Sequence, residues 1–217
     1  MKVKICGLMR GEDALLAAQC GADFLGLIFV PGSPRRLAPD QAAELVAFVR
    51  ARHAGAKFAG VFRNAPNDTI RRVVETVRLD YAQLHGDESD EQVAALALPV
   101  IKTLSVRETL PSPADHPSAQ WLLFDTHGRE GGGTGRTFDW SLLSGAPRPR
   151  QPFLLAGGLN ADNVVAAIAQ VRPDAIDLAS GVESAPGIKD PAKVRQLFTR
   201  IAEWHTAPAA SAIRGAS

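Results

Sequence analysis

Residues 1–10 read MKVKICGLMR, and the residues just after the apolar stretch at 3–6 decide between two folds. A short first strand is common to open doubly wound sheets and to closed barrels. In a doubly wound dinucleotide fold that strand runs into G-x-G-x-x-G, because closely spaced glycines let the backbone approach a pyrophosphate. Here Gly7 alone stops the strand, and Leu8-Met9-Arg10 come next. The dinucleotide signature is missing, so the fold must be read from what repeats downstream.

Short β-rich apolar runs recur at 3–6, 24–30, 58–62, 81–84, 100–103, 121–125, 153–156 and 175–178. Such runs suit parallel strands buried on both faces. Helical patterns lie between them at 12–20, 39–50, 67–77, 89–98, 160–171 and 190–204. Their starts carry helix-entry chemistry: Pro39 at a first turn, Ser89 with Gln92 as a capping pair, and Asp190-Pro191. Residues 105–117 are proline-rich and only weakly helical, and 140–143 predicts one short helix. Strand then helix, eight times over about 200 residues, predicts a single (β/α)8 barrel. The barrel is expected over residues 1–205. The small, polar stretch 206–217 is expected to be a frayed tail.

Composition narrows the function classes. The 217 residues are 46% apolar and 22% charged, with a net charge of +1. Such a balance offers no electrostatic footprint for nucleic acid or an anionic membrane surface. No apolar run approaches the ~20 residues of a membrane-spanning helix, and the first ten residues lack a signal-peptide pattern. Two cysteines, Cys6 and Cys20, suggest a reducing compartment, and a cytoplasmic location is expected. Five histidines without His-Glu-x-x-His spacing, and no Cys-x-x-Cys, argue against a metal site.

A barrel places its chemistry at the C-terminal strand ends. Gly157-Gly158 and Ser180-Gly181 come after the seventh and eighth strands. Such turns either only reverse the chain or bring backbone N–H groups onto a phosphate. Asp125 closes an apolar run. It is either a loop hydrogen-bonder or a poorly solvated general acid. Cys6 is either an inert packed thiol or, with Lys4 on the same side of the strand, a stabilised thiolate. Cys20 reads as packing. Arg35 and Arg36 are either a solvated loop pair or a planar fork for a carboxylate. His85 either donates a hydrogen bond to a ligand or satisfies its own loop. Gly131–Gly135 lies in a glycine-rich loop that is either a lid or a plain surface loop. Thr134 stands where a Walker loop needs lysine.

Six motifs occur in order: KICGL (4–8), FVPGSPRRL (29–37), QLHG (83–86), FDT with GGGTGRTFDW (124–126, 131–140), AGGLN (156–160) and SGVESAPGIKD (180–190). Over residues 2–203 the chain resembles the N-(5'-phosphoribosyl)anthranilate isomerases of tryptophan biosynthesis. The resemblance implies a (β/α)8 barrel without cofactor or metal. It would convert N-(5-phosphoribosyl)anthranilate to 1-(2-carboxyphenylamino)-1-deoxyribulose 5-phosphate by an Amadori rearrangement, the third step from chorismate to tryptophan. The partner implied is that small phosphosugar, bound by a monomer or homodimer. By resemblance Cys6 is the general base and Asp125 the general acid. Arg35 would hold the anthranilate carboxylate and His85 would bind substrate. Gly157, Gly158, Ser180 and Gly181 would hold the phosphate, with Asp177 close by. This division of labour calls for a raised Asp125 pKa and a lowered Cys6 pKa. Ala179 departs from the serine often found there in the family. The related sugar-phosphate isomerase of histidine biosynthesis is disfavoured, because its first strand ends in aspartate. A catalytically dead metabolite sensor is disfavoured by the presence of both Cys6 and Asp125.

Overall fold

The structure, a computed structural model, describes residues 1–126 and 139–206. Eight strands close a parallel barrel in chain order: β1 (Lys2–Ile5), β2 (Phe24–Ile28), β3 (Lys57–Phe62), β4 (Tyr81–Leu84), β5 (Val100–Val106), β6 (Trp121–Thr126), β7 (Phe153–Leu155) and β8 (Ala175–Leu178). Closure is made by β8 pairing with β1, with Lys4 opposite Asp177. Around it lie α1 (Gly11–Cys20), α2 (Pro39–Arg50), α3 (Asn67–Val77), α4 (Asp90–Ala95), α5 (Ser141–Ser144), α6 (Val164–Val171) and α7 (Pro191–Thr206). A small hairpin, β9 (Glu183–Ala185) with β10 (Ile188–Lys189), sits between β8 and α7.

Strand alternation divides the apolar side chains into two cores. Outward-facing residues such as Val3, Ile5, Leu25, Leu27 and Leu122 pack under the helices. The helices meet them at turn spacing: Ala42, Leu45, Val46 and Val49 on α2, and Val194, Leu197 and Ile201 on α7. Inside the barrel, Ala59, Ile101, Leu123, Leu154, Ala156 and Ala175 form a second core. Below it Phe24 meets Tyr81 and Trp121 edge to face, with ring centroids 5.3 and 5.8 Å apart.

Two residues further along those inward faces, the chemistry changes. Lys4, Gln83, Thr103, Asp125 and Asp177 are all buried at the C-terminal half of the strands. Tyr81 gives way to Gln83, Leu123 to Asp125, Ala175 to Asp177 and Ile101 to Thr103 on one face of each strand. The apolar plug beneath closes the bottom of this polar layer, so that it opens only at the barrel mouth.

Several boundaries differ from expectation for local reasons. β1 stops at Ile5, leaving Cys6 as the first residue past the strand. β5 runs on to Val106 because its ladder with β6 continues to Thr126. Helix α6 begins at Val164 and not at residue 160. The Asn160 side chain accepts from the N–H groups of Asp162 and Asn163, which locks a turn there. Helix α4 ends at Ala95, and Ala97 takes a positive φ of 54°. In the rest of 105–117, past the end of β5, only a 3-10 turn forms, Pro113–Asp115. The expected tail falls almost wholly, and the glycine-rich loop 128–135 entirely, outside the described residues.

Candidate active site

The strand ends surround a cleft of about 610 Å³ lined by Cys6, Arg35, Gln83, His85, Asp125, Gly157, Gly158, Asp177 and Ser180. A larger groove of about 1260 Å³ runs on the outside, past Pro147, Arg148, Gln170 and Trp204. Among the described residues it holds no comparable set of converging acids, bases and nucleophiles, which makes the smaller cleft the candidate site.

Cys6 turns into the barrel because β2 makes room for it. A Cβ on Gly26 would stand 2.7 Å from Cys6 Sγ and 2.9 Å from its Cα. Lys4, two residues earlier on the same face, is fully buried. Its Nζ lies 3.0 Å from each carboxylate oxygen of Asp177. Burial by itself would strip the proton from Lys4, but Asp177 and then Cys6 outweigh it and the ammonium is held above its ordinary pKa.

The Cys6 thiol corrects an expectation. Its pKa is raised, not lowered. Desolvation dominates, attraction to Lys4 opposes it, and the Asp177 carboxylate pushes it further up. Lys4 cannot win because Asp177 already neutralises much of its charge. The resulting thiolate is scarce at neutral pH but strongly basic once formed.

Asp125 behaves as expected. Burial at the end of β6, then the like charge of Asp177, lift its pKa to about 7, against the N–H of Thr126 and the charge of Lys4. It is therefore half protonated near neutrality and can both hold and release a proton. His85 Nε2 lies 3.5 Å from Asp125 Oδ2. Burial, then Lys4, Lys102 and Arg63, lower the His85 pKa to about 4, so the imidazole is neutral. Its loop is anchored underneath by a buried pair: Lys102 Nζ donates to Glu88 at 2.7 Å and to the Gly86 carbonyl at 2.6 Å. Glu88 also accepts from the N–H groups of Asn64 and Gly86.

Gly157 and Gly158 both take left-handed φ angles, 92° and 62°. They do not abut a helix start, since the 160–163 turn intervenes before α6. They meet the other glycine turn instead. Ser180–Val182 forms a 3-10 turn in which a Cβ on Gly181 would fall 1.9 Å from the Leu159 carbonyl oxygen. The two turns are thus packed against each other beside Asp177. Arg35 reaches the cleft, where its guanidinium is paired with Glu183. Arg36 is exposed and is not part of the cleft lining. Cys20 is a partly buried residue of α1 packed on the outer core.

Sequence reading passed over three residues. Gln83, buried in the cleft wall, leaves its Oε1 without a partner among the described residues; a glutamine inside the apolar strand YAQL was the available signal. Glu183 and Lys189 lie in a quoted motif, but no spacing rule says that they pair. Among the described residues no group of three or more His, Cys, Asp or Glu side chains forms a metal set.

Comparison with known proteins gives a consistent result. Residues 3–200 match the family model described as N-(5'phosphoribosyl)anthranilate (PRA) isomerase. A curated relative from Pelobacter propionicus, N-(5'-phosphoribosyl)anthranilate isomerase, is 42% identical over 205 residues, covering 94% of this chain and 96% of its own. A solved phosphoribosyl anthranilate isomerase from Thermus thermophilus superposes with a TM-score of 0.85 at 42% identity, covering 94% and 99% of the two chains. Another solved isomerase of this kind, 34% identical with a TM-score of 0.75, is in complex with reduced 1-(o-carboxyphenylamino)-1-deoxyribulose 5-phosphate. It covers 92% of this chain and 97% of its own.

Proposed function

The chain belongs to the N-(5'-phosphoribosyl)anthranilate isomerase family, and from that premise we propose how its residues divide the reaction. The enzyme isomerises an aldose-derived amine to a ketose within tryptophan biosynthesis. Asp125, in its protonated form, gives a proton to the furanose ring oxygen as the C1'–O bond breaks. The nitrogen lone pair forms the C1'=N bond of a cationic Schiff base. That cation acidifies the C2' proton, which the Cys6 thiolate removes. The electrons of the C–H bond become the C1'=C2' bond of an enolamine, and the iminium nitrogen recovers its lone pair. Tautomerisation then carries a proton to C1' and releases one from the C2' hydroxyl, leaving the ketone. One proton is given and one taken, so the enzyme returns to its starting charge when Cys6 gives up its proton and Asp125 regains one.

The observation that carries this assignment is the shared buried layer of Asp125 and the Cys6–Lys4–Asp177 cluster in one cleft. Asp125 sits near pKa 7 there, and the thiol lies beside the buried Lys4 ammonium. Lys4 stabilises the thiolate when it forms, and the water-poor surroundings make that thiolate a strong base. Arg35 holds the aromatic carboxylate. The packed turns at Gly157-Gly158 and Ser180-Gly181 hold the phosphate through backbone N–H groups. His85 is neutral and keeps Asp125 oriented toward the ligand. The unpaired thiols of Cys6 and Cys20 suit a reducing compartment, and we assign the enzyme to the cytoplasm as a monomer or homodimer.

The test follows anthranilate fluorescence while phosphoribosylanthranilate is generated in situ. Cys6→Ser is expected to lower kcat by about 10²–10⁴-fold while the thermal melt is kept, the usual contribution of one positioned proton-transfer group. A Cys6→Ser enzyme with wild-type kcat would remove the cysteine from the mechanism.

A further inference from the structure

The Arg35 guanidinium is not a loose cation. Glu183 Oε1 accepts from Nε at 2.9 Å, and Oε2 accepts from Nε at 3.2 Å and from Nη2 at 2.6 Å. These bonds occupy the side-on edge of a rigid, planar fork. The other bidentate edge, Nη1 with the second Nη2 hydrogen, points away from Glu183 by the geometry of the group.

Glu183 is itself fixed. Its Oε1 also accepts from Lys189 Nζ at 2.8 Å and from the Gly187 N–H at 3.2 Å. Lys189 Nζ donates in turn to the carbonyls of Cys6 at 2.6 Å and Ala179 at 3.1 Å. Its backbone N–H donates to Asp13 at 3.0 Å. The carboxylate therefore cannot rotate to follow Arg35, and Arg35 takes up the orientation that Glu183 dictates. Arg35, Glu183 and Lys189 together carry two positive charges and one negative, and their side chains are 12%, 4% and 0% exposed. One further negative charge would balance the set.

We propose that Glu183 is the positioning residue for Arg35. By engaging the side-on edge it presents the end-on edge to the substrate carboxylate, so that the β9–β10 hairpin sets the preference for a carboxylated aromatic amine. This rests on the assignment of Arg35 to that carboxylate. The opposite role is physically available: Glu183 could compete with substrate for Arg35. The two roles predict opposite signs. Removing a competitor tightens substrate binding, whereas removing a positioner weakens it.

The experiment uses two substrates made in situ from ribose 5-phosphate, one with anthranilate and one with aniline, which lacks the carboxylate. Ketose product is quantified by chromatography for wild type, Glu183→Gln, Arg35→Ala and the double variant. With Glu183→Gln, the KM for the anthranilate substrate is expected to rise about tenfold with kcat changed far less, as for a lost contact made equally in ground and transition states. The preference ratio, kcat/KM for the anthranilate over the aniline substrate, falls by a similar factor. Arg35→Ala lowers the same ratio, and adding Glu183→Gln to it lowers the ratio no further. A ratio unchanged in Glu183→Gln but lowered in Arg35→Ala overturns the positioning role and leaves Glu183 a structural residue. A lower KM in Glu183→Gln overturns it in favour of competition. A ratio unchanged in Arg35→Ala overturns the carboxylate assignment of Arg35, and the proposal with it. If Glu183→Gln loses its thermal transition because Lys189 is left unpaired, Glu183→Asp keeps that charge but draws the carboxylate back from the fork. The same fall in ratio is then expected, and its absence overturns the proposal.

Discussion

Replacing Asp125 with asparagine should make the protein more stable above neutral pH while nearly abolishing its activity. The cause is proton linkage. Asp125 has a native pKa of about 7 against an ordinary 3.8, so the native state holds a proton that the unfolded chain has released across that interval. A carboxyl raised in this way contributes stability at low pH, and the contribution is lost as pH rises through the native pKa. At about 1.36 kcal/mol per unit, the full span amounts to roughly 4 kcal/mol, of which about 2–3 kcal/mol is lost between pH 5 and pH 8. Asparagine has nearly the same shape and no titration. The assay is urea unfolding of wild type and Asp125→Asn at pH 5, 6, 7 and 8. The stability difference, variant minus wild type, should climb by about 2–3 kcal/mol from the first pH to the last, with most of the climb below pH 7. Parallel stability curves would refute the linkage, because they would mean that Asp125 titrates alike in the folded and unfolded chain. The same variant should lose about 10²–10⁴-fold in kcat. Stability gained where activity is lost is the mark of a group held in an unfavourable state for its chemistry.

Two further predictions concern close approaches. Gly26→Ala pushes a methyl against both Sγ and Cα of Cys6; it should cost about 1–3 kcal/mol in unfolding free energy and lower kcat more than KM, since it moves the thiol and leaves the turns at Gly157 and Gly181 alone. Unfolding curves and turnover on one preparation check both numbers. Gly181→Ala drives a methyl into the Leu159 carbonyl and must separate the two glycine turns. It should raise KM about tenfold and weaken inhibition by inorganic phosphate in parallel, as loss of one or two hydrogen bonds to a charged ligand would do.

Much of this was readable because barrels are built by repetition. Each of the eight strands announces itself as a short apolar run, and the polar exceptions near the run ends, Cys6 and Asp125, mark the mouth. Lys4 was legible through strand alternation alone. What the sequence could not carry was anything that depends on a partner far along the chain. The Lys4–Asp177 and Arg35–Glu183 pairs join residues separated by 173 and 148 positions, and no local pattern encodes them. The direction of the Cys6 pKa failed for the same reason. Lys4 alone would have lowered it, but the burial and the Asp177 charge that reverse the sign arise only on closure. The late start of α6 is a subtler case. Asn160 looks like a helix cap in sequence, and its side chain instead closes a turn before the helix begins.

The pairing of Lys4 with Asp177 also bears on how the chain comes off the ribosome. The strand that carries Lys4 is made about 170 residues ahead of its charge partner. At roughly 5–20 residues per second the wait is on the order of ten seconds or more. Throughout it Lys4 is without the carboxylate that pairs with it in the folded barrel. The apolar outer faces of the early strands have α1 and α2 to pack on, whereas the inner layer is completed only when β8 pairs with β1. Lys189, which clips the ends of β1 and β8 together through the Cys6 and Ala179 carbonyls, emerges later still. A chain ending before residue 189 lacks that clip between the ends of β1 and β8. The seam of the barrel is complete only once β8 and the hairpin that carries Lys189 have been translated.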